Sequence, residues 1–112
     1  MTEAEWLDQV LGLARIFKWR TAHFRPAQTT RGWRTAVSGD GKGFPDLVLV
    51  RDRVIFAELK SDNGRPTTEQ LLWHQDLLEA GAEMYLWRPT DFDAVHECLS
   101  RPKQSIQGGS AA

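Results

Sequence analysis

Asp46, Glu58 and Lys60 are spaced for metal-assisted hydrolysis. Asp46-Leu47-Val48-Leu49-Val50 and Val54-Ile55-Phe56-Ala57 have the branched aliphatic content of β-strands, and the polar Arg51-Asp52-Arg53 between them is short enough to turn. Folding this hairpin about Asp52 pairs residues whose numbers sum to 104, as 46 and 58 do. The two carboxylates then stand opposite one another with Cβ atoms about 5 Å apart. Lys60, two residues past Glu58, points to the same face. Carboxylates so placed repel unless a cation sits between them. Oxygen ligands suit a hard divalent ion, Mg²⁺ or Mn²⁺, which keeps waters in its other positions. Such an ion acidifies a bound water and stabilises charge on a phosphoryl oxygen, and the lysine is placed to orient that water or offset that charge. A bare Glu-x-Lys is common and reads as a weak surface pair. Here Val48, Val50, Val54 and Phe56 share the face, and charges at the end of an apolar face are costly without a use.

The surrounding elements follow from periodicity. Trp6, Val10, Leu13, Ala14 and Phe17 mark a first helix ending near Phe17. Its acids are Glu3, Glu5 and Asp8. Glu3, three residues before Trp6, lies near the buried edge and is favoured to reach the sheet, with Glu5 farther round. Acids in a first turn also complement the helix dipole, so the choice stays open. Trp19 to Phe24 alternates as a strand. Arg25 to Gly43, with Pro26 and four glycines, shows no period, as expected of a functional loop. Ser61 to Pro66 turns, and Thr67 caps a helix that ends before Gly81, a position for a left-handed residue. Thr67-x-x-Gln70 fits a capping box, which would occupy the glutamine amide. Glu83 to Arg88 reads as a strand that a right-handed crossover sets parallel to the Glu58 strand. Thr90 or Asp91 opens a last helix with Phe92, Val95, Cys98 and Leu99 facing inward, and residues 107–112 read as a flexible tail after a single domain, 1–106.

Gly43-Phe44-Pro45-Asp46, the aliphatic strand, Glu58-Leu59-Lys60 and Thr67-Thr68-Glu69-Gln70 together resemble the PD-(D/E)xK nuclease superfamily, nearest its virus-type replication–repair (VRR-NUC) branch. The resemblance spans about residues 3 to 88. It implies an α/β fold with a restriction-endonuclease-like core, a central mixed four-stranded sheet flanked by helices in the order αβββαβ, here with an added C-terminal helix. It also implies a Mg²⁺- or Mn²⁺-dependent DNA phosphodiesterase. Asp46, Glu58 and the Leu59 peptide carbonyl match the metal ligands, Lys60 the catalytic lysine, and Gln70 a glutamine bordering the site. An acid on the first helix, Glu3 or Glu5, would complete the set.

Composition fits a small globular enzyme. A chain of 112 residues with 41% hydrophobic content has room for one domain, burying roughly two-thirds of its unfolded surface. It has no apolar run of about 18 residues and no signal-peptide pattern. The lone Cys98 excludes an internal disulfide and, with no Cys/His cluster, argues against structural zinc, so a reducing cytoplasm is expected. The net charge of −1 conceals a basic segment: between Gln9 and Gly39 stand Arg15, Lys18, Arg20, Arg25, Arg31 and Arg34 without an acid. That is what a phosphate backbone requires. Arg25, Arg31, Arg34 and the following Lys42 are the expected DNA contacts, on a loop read as a mobile strap, with Trp33 available to stack. His23 is a further phosphate candidate, more simply structural, as are His74 and His96. Trp73 and Trp87 read as core or interface. With no separate recognition domain, shape readout of branched or junction DNA by a homodimer is expected. The alternatives are a sequence- or end-directed nuclease needing a partner protein, and a non-catalytic DNA-binding module.

Overall fold

The computed structural model describes residues 1–24, 27–29, 32–34 and 39–104, the two short middle stretches by their backbone. The tail expected at 107–112 lies outside the described residues. Helix α1 (Glu3–Ile16) opens on a capping box: Thr2 Oγ1 accepts the Glu5 N–H at 3.1 Å and Glu5 Oε1 accepts the Thr2 N–H at 2.9 Å. Its stripe is as the spacing predicts, with Trp6, Val10 and Ala14 buried and Leu13 and Phe17 packed beside them. The helix ends where Lys18 turns left-handed (φ 69°), and the Lys18 and Trp19 N–H groups return to the carbonyls of Arg15 and Ala14.

The main sheet has the order β1-β4-β5-β6, from β1 (Arg20–His23), β4 (Leu47–Val50), β5 (Val54–Leu59) and β6 (Glu83–Trp87). β4 and β5 pair antiparallel from Leu47↔Ala57 to Val50↔Val54, the register that sums to 104. β6 runs parallel to β5, reached through helix α2 (Thr68–Glu79), with Gly81 left-handed (φ 86°) just beyond it. Helix α3 (Phe92–Ser100) follows a 3₁₀ turn over Pro89–Asp91. The architecture is therefore the α/β mixed open sheet expected, with one addition. Inside the stretch read as irregular, β2 (Ala27–Thr29) and β3 (Gly32–Arg34) form a separate antiparallel pair. Their three-residue strands contain glycine and polar residues, so backbone pairing forms them without any apolar alternation to announce it.

Leu47, Leu49, Ile55, Ala57 and Leu59 turn one face of the sheet onto α1 and α3, where Trp6, Val10, Ala14, Val95, Cys98 and Leu99 close the core. Asp46 and Glu58 belong to the opposite face. That face is not uniformly covered, since Val50 and Val54 are 40% and 45% exposed near the turn. Its far end is shielded by Phe44, which meets Phe56 and Trp73 edge-on. Phe92, expected inward, is 39% exposed because it falls in the first turn of α3, ahead of the buried Val95–Cys98–Leu99 stripe. Trp87 is core, and its carbonyl accepts both the Trp6 indole N–H (2.9 Å) and the Lys60 backbone N–H (3.1 Å).

The hairpin turn is a structural knot. Arg51 and Arg53 lie over the Trp19 ring at 4.5 and 5.0 Å. Arg51 donates to the carbonyls of Phe17, Leu99 and Arg101, while Asp52 accepts from Arg51 and from the Gln104 N–H. Among the described residues no helix is long and apolar enough to cross a membrane.

Candidate active site

Continued by one residue, the strand registers set Phe24, Asp46, Glu58 and Leu86 in a row across four strands. Phe24 N–H donates to the Asp46 carbonyl at 3.0 Å, and Glu58 pairs with Leu86. Asp46 closes β4 onto β5 with its side chain, Oδ2 accepting the Leu59 N–H at 3.0 Å. Glu58 is 3% exposed. Burial first, then a hydrogen bond to Asp46 and that residue's charge, push its carboxyl up to about 9, with Lys60 opposing and Glu3 adding. Two like charges forced together favour the neutral form of Glu58. Lys60 Nζ stands 4.0 Å from Glu58 Oε2.

Gln70 does two things at once. Its Oε1 accepts the Thr67 N–H at 2.8 Å, completing the capping box, while its Nε2 donates to Glu58 Oε2 at 3.0 Å. The cap and the site use opposite ends of one amide and do not compete. Of the first-helix acids, Glu3 is drawn toward the cluster: partial burial raises its pKa most, with Lys60 lowering and Asp46 raising it. Glu5 is spent in its cap, and Asp8 is exposed.

Contacts between the Asp46 loop and α2 hold these parts in place. A Cβ on Gly43 (φ 85°) would lie 2.6 Å from the Glu69 carbonyl carbon, so the two backbones touch only because this residue is glycine. Trp73 Nε1 donates to the Asp40 carbonyl at 3.0 Å, and its ring meets Phe44 edge-on at 5.1 Å. After Lys60, Arg88 gathers the turn by donating to the carbonyls of Ser61 (2.6 Å) and Gly64 (2.7 Å). From sequence, Gly43 and Phe44 stand out only as part of a motif, and nothing signals Arg88.

Of the expected DNA contacts, Lys42 alone has its side chain among the described residues. Arg25 and Arg31 lie outside the described residues, and Arg34 is placed by backbone alone, on β3. Lys42 is exposed and pairs with Glu69 at 3.4 Å. His23 ends β1 in the open, while His96 meets Phe17 edge-on.

Among the described residues no three His, Cys, Asp or Glu side chains converge to close a metal site by themselves. The donor set nevertheless fits a hard cation. Two carboxylates are held together at an energetic cost that a divalent charge would relieve. The fold is consistent with a PD-(D/E)xK-type nuclease, a hydrolase of phosphodiester bonds in DNA. The VRR-NUC domain model matches residues 3–90, and the chain belongs to that family. No curated protein and no solved structure matches the chain. Nucleases of this superfamily generally use divalent metals.

Proposed function

We propose that the protein is a Mg²⁺- or Mn²⁺-dependent DNA endonuclease, specific for branched or junction structure and acting as a cytoplasmic homodimer, with residues 1–106 as its single nuclease domain. The observation that carries this reading is the Asp46–Glu58 pair, a half-buried carboxylate beside a buried one, hydrogen-bonded to Leu59 and Gln70. Asp46, Glu58 and the Leu59 carbonyl would hold the ion. Once bound, it would supply a more acidic water and charge stabilisation at the phosphoryl oxygen. Gln70 fixes the Glu58 carboxylate, and Glu3 adds negative charge at the cluster's edge. Lys60 orients the attacking water or offsets charge developing on phosphorus. Arg25, Arg31, Arg34 and Lys42 contact the backbone, and Lys42 would exchange Glu69 for phosphate.

Mn²⁺ calorimetry beside cleavage of four-way, flap and linear DNA tests this. Asp46→Ala and Glu58→Ala should lose both the ion and cleavage while the fold stays as stable or gains. Lys60→Ala should keep the ion and cut far more slowly. Full cleavage by either carboxylate variant would overturn the site, and equal cutting of all three DNAs would overturn structure specificity.

A further inference from the structure

An exposed aromatic ring adjoins the carboxylate pair. Phe24 is one strand from Asp46, tied by its N–H to the Asp46 carbonyl at 3.0 Å, and by register its side chain shares the Asp46–Glu58 face. Neighbouring strands lie about 4.8 Å apart. The ring is therefore one strand spacing from Asp46, a proposed ligand. Phe24 is held without being buried. It meets Phe44 edge-on at 5.6 Å, and Phe44 in turn meets Phe56 and Trp73 edge-on, yet 45% of Phe24 remains exposed. This aromatic row starts against the sheet at Phe56 and ends in solvent beside the proposed ligands. Edge-on packing with Phe44 and Trp73 accounts for Phe56 and Phe44 on this face but gives no reason for an open phenylalanine at this position.

We infer that Phe24 is a substrate-contacting specificity residue that stacks on an unpaired nucleobase next to the scissile phosphate. In a continuous duplex each base is stacked on its neighbours and offers the ring no free face. At a branch, flap or junction a base is released, and stacking on an aromatic is sequence-tolerant because every base has a π-face. The ring would thus recognise structure without reading sequence. This rests on the nuclease reading, and the test separates the two.

Wild type, Phe24→Leu and Phe24→Trp should be compared on a duplex and on a flap carrying 2-aminopurine as the unpaired nucleotide at the branch. Binding is read by fluorescence without metal, and cleavage by steady-state kinetics with Mg²⁺. Wild type should quench the 2-aminopurine and prefer the flap. Phe24→Leu keeps the apolar bulk but should lose the quench and reduce the flap-over-duplex preference about ten- to a hundredfold, through KM. Phe24→Trp should restore both. An unchanged preference in Phe24→Leu, or an equal loss on the two substrates, would overturn the inference while leaving the nuclease intact. Quenching by wild type without cleavage of any DNA would leave the stacking contact standing and remove the nuclease reading instead.

Discussion

Because Glu58 is raised to about 9 from an ordinary 4.5, the folded metal-free protein holds a proton there that the unfolded chain releases. Between those two values the folded state binds more protons, so stability should fall as pH rises through that window. Urea midpoints across it should decline for the metal-free wild type and decline less for Glu58→Gln, which cannot ionise. An identical slope would assign the effect to another group. Gln70 allows a sharper separation. Gln70→Glu retains an oxygen for the Thr67 N–H, as glutamate does in a capping box, but removes the donor to Glu58. It should melt near wild type and cleave poorly at saturating Mg²⁺. Gln70→Ala should in addition lose about 1 kcal/mol of stability with the cap bond. Wild-type cleavage by Gln70→Glu would mean the amide's donor end is idle.

At the scale of elements, the β4–β5 hairpin was legible because strand pairing has period two and a three-residue turn leaves a single centre. One register then placed Asp46, Glu58 and Lys60 together. The α1 stripe and the Gly81 stop were legible for the same reason, each depending on residues close in sequence. What escaped depends on distant partners: the contact of Gly43 with α2, the open position of Phe92, and a β2–β3 pair without apolar alternation. The turn is where expected, but its burial escaped because the partners of its charges are distant in sequence. The segment reads only as polar and short enough to turn, yet the Arg51 and Asp52 side chains are 6% and 8% exposed. The Gln104 N–H, then Arg51, hold the Asp52 carboxyl down to about 2 from 3.8. A depressed acid stabilises the fold above its ordinary value and loses that contribution as pH falls toward about 2. Asp52→Asn should therefore flatten the acid limb of the stability curve, and amide exchange at Gln104 should quicken. An acid limb identical to wild type would show that the turn contributes nothing there.

Across the whole molecule, Trp87 is removed as an assembly surface because it is core, but α2 remains available. It buries no residue fully, and Leu71, Leu72 and Leu78 are each at least half exposed. A twofold contact there would give two active sites for two strands. Light scattering at micromolar concentration should report twice 12.7 kDa, falling to one copy in Leu71→Glu/Leu78→Glu. A wild-type monomer that still cuts a four-way junction symmetrically would require another route to paired incision.

The doubly used carbonyl of Trp87 also bears on when the enzyme can act. It ties the backbone of Lys60 to β6 and, through the same oxygen, to Trp6 near the start of the chain. Contacts this remote in sequence form late, after the entropy of closing long loops has been met. A chain still emerging from the ribosome, or one nicked before its last strand docks, has the carboxylates and the lysine but lacks the frame that aligns them. Competence would then arrive together with complete folding, and partly made copies of the protein would pose little danger to the DNA around them.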